Sequence, residues 1–143
     1  MILIDTGPII ALFNPQDPLH ETAKEILASI KNGKLHTTMP VLTESYYLLR
    51  PGSHEARALS SFILKGGAQI CPSDPELFSR MCQLMEIYAD HPMDLADASL
   101  VALAEKIGTK KVLTFDYNDF FAYKIQKGHK YLAIDIIGAK AAR

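Results

Sequence analysis

The sequence predicts an α/β fold of three layers, in which helices cover both faces of a short central parallel sheet. Short β-branched runs, beginning with Ile2–Ile4, alternate along the chain with longer helical segments. Because parallel strands are joined by crossover helices, this alternation favours a parallel sheet over an antiparallel one. The 143 residues, 48% of them hydrophobic, suit one sizeable core, so we expect a single domain over residues 1–143.

The N-terminal half is predicted to contain two strands and four helices. Prolines at positions 8, 18 and 40 indicate helix starts, because proline is favoured in the first helical turn. Asn32-Gly33, Pro51-Gly52 and Gly66-Gly67 indicate helix ends, since these residues are common just past a last helical turn. The predicted segments are a strand at 2–4, a helix at 8–13, a helix at 20–31 with Asp17 as its N-cap, a strand at 35–38, and helices at 41–49 and 55–64.

The C-terminal half continues the alternation. Asp74 is placed as the N-cap of one helix, and Gly108 follows the last apolar residue of a second helix, which is rich in alanine and leucine. The predicted segments are a strand at 68–71, a helix at 75–88, a helix at 94–107, a strand at 111–114, a last strand at 131–134 and a tail at 137–143.

Four acidic residues are predicted to meet at one edge of this sheet. Asp5 and Asp116 follow the first strand and the strand at 111–114, so they lie at the carboxyl ends of strands. Glu44 and Asp97 lie in early turns of helices, and in a crossover fold those turns are on the same edge. Ligands of open α/β sheets bind at this edge.

Neighbouring carboxylates raise one another's pKa unless a cation compensates their charge. A set of oxygen ligands without Cys or His partners favours Mg²⁺ or Mn²⁺ over Zn²⁺. Such an ion keeps open positions for phosphate oxygens and water, which is the layout for cleaving a phosphodiester bond. Asp94 is either the N-cap of the helix that carries Asp97 or a further residue beside the metal, and Asp119 either joins the site or caps a helix at 120–124.

The residues around these acids resemble those of the PIN domain family, over nearly the whole chain. The resemblance is carried by Ile4-Asp5-Thr6, by Glu44 after Thr38-Met39-Pro40, by the run from Asp97 to Ala104, and by Thr114-Phe115-Asp116 before Asp119-Phe120. One difference is Gly7-Pro8, where the family more often has Asn and an aliphatic residue.

For a separate chain of this length, the resemblance implies a VapC-like toxin of a bacterial or archaeal toxin–antitoxin pair. It implies an endoribonuclease that depends on Mg²⁺ or Mn²⁺, forms a homodimer and is inhibited by a small antitoxin protein. By position, the acidic site is Asp5, Glu44, Asp97 and Asp116, with Asp94 beside the metal and Thr114 or Thr6 as a supporting hydroxyl.

Two other classes share part of this pattern. A receiver-type phosphoacceptor domain also places acids at strand ends, but it needs paired acids near the first strand, and none precedes Asp5. A haloacid-dehalogenase phosphatase needs a second Asp two residues after the first, where Gly7 stands. A binding module without catalytic activity is the third alternative.

The net charge of −1 gives no general polybasic signature for nucleic-acid binding. If the four acids form one site, however, the rest of the chain is net basic. Lysines then cluster at 106, 110 and 111 and again at 124, 127 and 130. These clusters are either an RNA-binding surface or solvated helix ends and loops.

Cys71 and Cys82 have no metal-binding spacing, so we expect reduced thiols in the core. The first residues lack a basic leader, and no apolar run reaches the ~20 residues of a membrane span. We therefore expect a cytoplasmic protein without membrane contact.

The helices at 41–49 and 55–64 carry more apolar residues than one buried face needs. We expect either that these helices pack on each other or in a homodimer, or that they form a groove for the antitoxin. The residues concerned are Tyr46, Tyr47, Leu48, Leu49, Leu59, Phe62 and Ile63.

Overall fold

The computed structural model describes residues 1–31 and 34–138 and contains a five-stranded parallel sheet with helices packed around it. The strands are β1 (Ile2–Ile4), β2 (Leu35–Thr38), β3 (Gln69–Cys71), β4 (Lys111–Leu113), β5 (Lys124–Lys127), β6 (Lys130–Ala133) and β7 (Asp135–Ile137). The helices are α1 (Thr6–Phe13), α2 (His20–Ala28), α3 (Met39–Leu49), α4 (His54–Leu64), α5 (Pro75–Ile87), α6 (Leu95–Ile107) and α7 (Tyr117–Ala122).

The central sheet has the strand order β3-β2-β1-β4-β7. Strand β1 is the middle strand, and its Leu3 is paired with His36 of β2 on one side and with Val112 of β4 on the other. Helices α1 to α4 pack on one another, α5 pairs with α6, and α3 also contacts α6. This arrangement confirms the predicted α/β class with a short parallel sheet.

Helix α6 is the most deeply buried helix of the described chain. Every residue from Ala96 to Ala104 is buried, because this segment consists almost entirely of small and aliphatic side chains that pack on all sides. Gly108 ends the helix with φ of 76°, the left-handed conformation that glycine adopts at low cost. Since the first turn of α6 carries Asp97, the site residue rests on the protein core.

A strand is confirmed where the last one was predicted, at 131–134, but it is neither the last described strand nor part of the central sheet. Residues 130–133 form an antiparallel hairpin with β5 outside the central sheet, and the strand that completes the sheet beside β4 is Asp135–Ile137. The tight turn at Gly128, where φ is 62°, makes the hairpin possible. A hairpin at this position had not been predicted.

Smaller differences concern helix ends and sulfur atoms. The N-cap of α2 is Leu19 rather than Asp17, although the Asp17 carboxylate accepts a 2.8 Å hydrogen bond from the Leu19 N–H. Both cysteines are free thiols, as expected, but they are half-buried. The predicted helix end at Asn32-Gly33 and the tail after residue 138 lie outside the described residues.

No helix within residues 1–31 and 34–138 combines the length and apolar character that crossing a bilayer requires.

Candidate active site

A pocket of about 390 Å³ opens at the carboxyl edge of the central sheet. Acidic side chains dominate its lining, and they come from separate parts of the chain. These acids are Asp5, Asp17, Glu44, Asp94, Asp97, Asp116 and Asp119. The structure thus brings together the four acids that the sequence placed at this edge, and it adds Asp17, which the sequence had placed only as a helix cap.

Asp5 lies directly after β1 and is almost fully buried, at 7% exposure. Its Oδ1 accepts a 2.8 Å hydrogen bond from the Thr6 N–H, so it is the N-cap of α1, and its Oδ2 accepts one of the same length from the Thr114 hydroxyl. Burial raises the pKa of Asp5 to about 6, and the charges of Glu44 and Asp94 add to this rise, while the two hydrogen bonds oppose it.

Asp97 lies in the first turn of α6 and is 9% exposed. Burial raises its pKa to about 8, and the charges of Asp5 and Asp94 contribute to the rise. The Tyr123 hydroxyl opposes this shift by donating a 2.8 Å hydrogen bond to Asp97 Oδ2. Burial and the neighbouring acids therefore favour the protonated form of Asp97 unless a cation compensates its charge.

Asp94 is the N-cap of α6, because its Oδ1 accepts a 2.8 Å hydrogen bond from the Asp97 N–H. The capping interpretation is confirmed, but Asp94 also lines the pocket, and its charge raises the pKa of both Asp5 and Asp97. Glu44 lies in the second turn of α3, half-buried, and faces the same pocket.

Thr114 links two of the acids. Its hydroxyl donates to Asp5 Oδ2 and accepts a 3.0 Å hydrogen bond from the Asp116 N–H. Asp116 in turn is the N-cap of α7, and its Oδ1 accepts from the Asp119 N–H at 3.2 Å. The interpretation of Asp119 as a helix cap was wrong, because α7 begins earlier, at Tyr117. Asp119 instead pairs with His91 Nε2 at 2.6 Å.

Two further hydroxyl groups belong to the site, and only one of them was predicted from the sequence. Tyr123 is fully buried, contacts Asp97, and packs its ring edge-to-face against Tyr88 and Phe120. Thr6 lines the pocket, and its buried hydroxyl has no hydrogen-bond partner among the described residues. No sequence pattern connects Tyr123 to Asp97, whereas Thr6 directly follows Asp5 and was named as one of two supporting hydroxyls.

The donor set of the pocket consists of carboxylate and hydroxyl oxygens, which are ligands that Mg²⁺ and Mn²⁺ prefer. In the part of the chain that the structure describes, no three Asp, Glu, His or Cys side chains group tightly enough to enclose an ion. Mg²⁺ does not require such a cage, since it keeps several waters and takes only one or two protein carboxylates. The residues therefore fit an open site for a hard divalent cation.

Comparisons with known proteins agree with this geometry. Ribonuclease VapC26 from Mycobacterium tuberculosis is 25% identical to the chain over 135 residues, which is 93% of this chain and 99% of the relative. Among solved structures, VapC20 from Mycobacterium tuberculosis, a toxin that cleaves the sarcin–ricin loop, has a TM-score of 0.75 and 26% identity, covering 83% of this chain and 92% of that one.

A toxin–antitoxin complex from Klebsiella pneumoniae contains a chain with the same fold. Its TM-score is 0.66 with 19% identity, covering 85% of this chain and 92% of the other. The sequence profile of the PIN domain matches residues 2–127, which include every acid of the pocket. The chain belongs to the PIN domain family.

Proposed function

We propose that this protein is an endoribonuclease that depends on Mg²⁺ or Mn²⁺ and is the toxin of a toxin–antitoxin pair. The observation that carries the proposal is the convergence of acids from separate elements, with Asp5 and Asp97 buried and their pKa values raised. Ribonuclease activity is the property named for the relative VapC26, and cleavage of an RNA loop is named for VapC20. The relatives named above include neither a phosphoacceptor domain nor a phosphatase.

One or two of Asp5, Asp97 and Asp116 would bind the cation directly, and water molecules would link it to the other acids of the pocket, Glu44 and Asp94 among them. The cation supplies activation of a water molecule and stabilisation of the leaving oxygen of the phosphodiester. Because burial raises the pKa of Asp97 to about 8, binding of a cation beside it would favour loss of the proton from its carboxyl group.

The neighbouring hydroxyls keep the carboxylates in place. Thr114 fixes Asp5 Oδ2 and the Asp116 backbone, and Tyr123 fixes Asp97 Oδ2. The hydroxyl of Thr6 has donor and acceptor capacity left over, so it can hold a water at the pocket wall. Each of these groups orients an atom of the site before substrate arrives.

The partners that follow from this function are an RNA substrate, a small antitoxin protein and a second copy of the chain in a homodimer. We place the protein in the cytoplasm, where its RNA substrate is, and treat residues 1–143 as one nuclease domain.

The expected antitoxin groove needs revision. Leu49 and Leu59 are buried in the core, and Phe62 packs against Phe13. The exposed large apolar residues of α3 are Met39, Tyr47 and Leu48, at 52%, 78% and 54% exposure.

Tyr47 lines an apolar groove of about 590 Å³ that also contains Met39 and Leu95 and shares Glu44 and Asp94 with the acidic pocket. An amphipathic antitoxin segment fits this groove, with an Arg side chain reaching the acids. Substituting Asp for Tyr47 should then release a small bound protein that co-purifies with the wild type. Retention of that protein by the variant would place the antitoxin on another surface.

The nuclease proposal is tested by incubating purified protein with labelled RNA in Mg²⁺, in Mn²⁺ and in EDTA. We expect cleavage that EDTA and Asp97→Asn each abolish. Asp90→Asn is the matched control, because it removes an exposed carboxylate that does not line the pocket. If Asp97→Asn cleaves as fast as the wild type, the proposed site is wrong. Labelling of an Asp by acetyl phosphate would instead support a phosphoacceptor.

A further inference from the structure

The segment that follows the acidic pocket is basic and aromatic. Residues 120–134 contain three lysines and neither Asp nor Glu. We call the basic hairpin surface the set formed by Phe121, Lys124, Lys127, Lys130 and Tyr131. Phe121 and Tyr131 are 63% and 68% exposed, and Lys127 and Lys130 are exposed at the hairpin turn.

The surface begins at the pocket. Tyr123, the residue directly before β5, donates to Asp97 in the first turn of α6. Near the end of α6, Glu105 Oε2 accepts a 2.9 Å hydrogen bond from the Gln126 N–H. Since each helical residue rises 1.5 Å, the strand β5 follows α6 for about 12 Å away from the pocket.

Several contacts hold the hairpin in this position. Ile125 is buried against the core, and the Lys124 N–H donates to the Tyr88 hydroxyl at 2.8 Å. Arg80 donates to both Glu105 oxygens and, at 3.0 Å, to the Gln126 side chain. The hairpin is thus a fixed part of the protein surface rather than a loose loop.

The charges of its lysines are not neutralised within the described chain. No residue in ranges 1–31 and 34–138 forms a salt bridge with Lys124, Lys127 or Lys130. Lys124 Nζ lies 5.4 Å from the centre of the Phe121 ring and donates to the Phe121 carbonyl. Cations and exposed aromatic rings side by side match the phosphates and the base faces of an RNA strand.

An acidic pocket repels RNA phosphates, so an RNA-cleaving protein needs cations beside the pocket to bind its substrate. We propose that the basic hairpin surface binds the RNA strand on one side of the cleaved bond, through its lysines and its two exposed rings. This inference rests on the proposed ribonuclease function. It assigns the substrate path to the β5–β6 side of the pocket.

The experiment measures binding of a fluorescein-labelled oligouridine to the inactive Asp97→Asn protein by anisotropy at several salt concentrations. The test variant replaces Lys124, Lys127 and Lys130 by Gln. The matched control replaces by Gln three exposed lysines that precede β2 or β3, on the side of the sheet away from β4 and β7. These are Lys31, Lys34 and Lys65.

We expect the hairpin variant to lose affinity on the order of tenfold at low salt. The slope of log K against log salt should fall by about 2, because each single-strand phosphate contact contributes roughly 0.7. The control should change the slope by much less. Equal effects of both variants, or no effect of the hairpin variant, would overturn the proposal.

A second pair of variants tests the rings. Tyr131→Leu should weaken oligouridine binding on the order of tenfold by removing one stacking surface, whereas Phe78→Leu, at an exposed ring of α5, should not. Unchanged binding by Tyr131→Leu would contradict the proposed stacking of RNA on this ring.

Cleavage assays separate the two proposals. For these assays, the same lysine variants are made in the protein that retains Asp97. If the wild type cleaves RNA and the hairpin variant has an unchanged KM, the nuclease function stands and the surface is wrong. If the wild type binds oligouridine through the hairpin but cleaves no RNA with either metal, the surface stands and the nuclease function fails.

Discussion

The hydroxyl of Tyr123 and the carboxylate of Asp97, 26 residues apart in sequence, are joined by a 2.8 Å hydrogen bond inside the protein. Tyr123 has no exposed surface, and burial raises the pKa of its hydroxyl far above the usual value, with the Asp97 charge adding to the rise. The hydroxyl therefore stays protonated and remains a hydrogen-bond donor to Asp97 over the working pH range of proteins.

Removing this hydroxyl should disturb the site while the ring packing remains. We expect Tyr123→Phe to reduce Mg²⁺ affinity and cleavage rate, because Asp97 Oδ2 loses its donor and its orientation. The unfolding free energy should fall by about 1–3 kcal/mol. Calorimetric Mg²⁺ titration and cleavage kinetics measure the two effects.

Tyr88→Phe is the matched control for this change. It also removes the hydroxyl of a half-buried tyrosine, but that hydroxyl accepts a hydrogen bond from the Lys124 N–H and does not touch an acid of the pocket. A similar loss of Mg²⁺ affinity in both variants would mean that the effect is structural rather than local to Asp97.

Thr114 offers a test with a conservative rescue. Thr114→Val keeps the shape of the side chain but removes the donor to Asp5 and the acceptor for the Asp116 N–H. We expect a lower cleavage rate and a loss of about 1–3 kcal/mol in unfolding free energy. Thr114→Ser should restore most of both. If Ser behaves like Val, the hydroxyl is not the group that matters.

The raised pKa of Asp97 makes the metal-free protein sensitive to pH. A carboxyl group with a higher pKa in the folded than in the unfolded protein binds more protons when folded, so stability falls as pH rises between the two values. For Asp97 this window runs from its usual value of 3.8 to about 8, and for Asp5 from 3.8 to about 6. Urea unfolding in EDTA should therefore show lower stability at pH 8 than at pH 5.

Asp97→Asn should remove part of this pH dependence and raise the unfolding free energy at pH 8, because it removes a carboxylate whose charge is unfavourable inside the metal-free protein. The amide oxygen still accepts from Tyr123, and the cap of α6 remains Asp94. Mg²⁺ at ten times its Kd should stabilise the wild type by about 1.4 kcal/mol and the variant by much less. A variant less stable than the wild type at pH 8 would contradict the repulsion between the acids.

Asp116 and Asp119 should differ in their effect on cleavage. Both line the pocket, but Asp116 is tied to Thr114, whereas Asp119 is paired with His91. We therefore expect Asp116→Asn to slow cleavage more than Asp119→Asn. Both substitutions keep an oxygen that can accept a hydrogen bond, so single-turnover rates compare the charges alone. The reverse order would exchange the roles of the two acids.

The sequence was informative where local chemistry determines the structure. Asp94 before an alanine- and leucine-rich segment indicated both the start and the burial of α6, and the boundaries of β2 were predicted without error. The common edge of the four acids followed from the alternation of strands and helices, because that alternation determines which ends of the elements meet. Whether these acids bind a metal stays a prediction.

The sequence was less informative where contacts join distant segments. The hydrogen bond from Tyr123 to Asp97 depends on how the hairpin packs on α6, and no spacing encodes that contact. The hairpin itself was missed because Lys127-Gly128-His129-Lys130 was interpreted only as a cluster of charges, although glycine at a tight turn between two short strands is a recognised hairpin signal.

Gly138, just past β7, lies against the backbone of Thr114. A β-carbon at this position would collide with the Thr114 carbonyl oxygen, and the backbone φ of 147° is one that other residues rarely adopt. Any larger residue would push on the strand end that holds the Thr114 hydroxyl against Asp5. In a saturation mutagenesis screen, position 138 should therefore rank among the least tolerant sites of the protein, although it is exposed and carries no functional group.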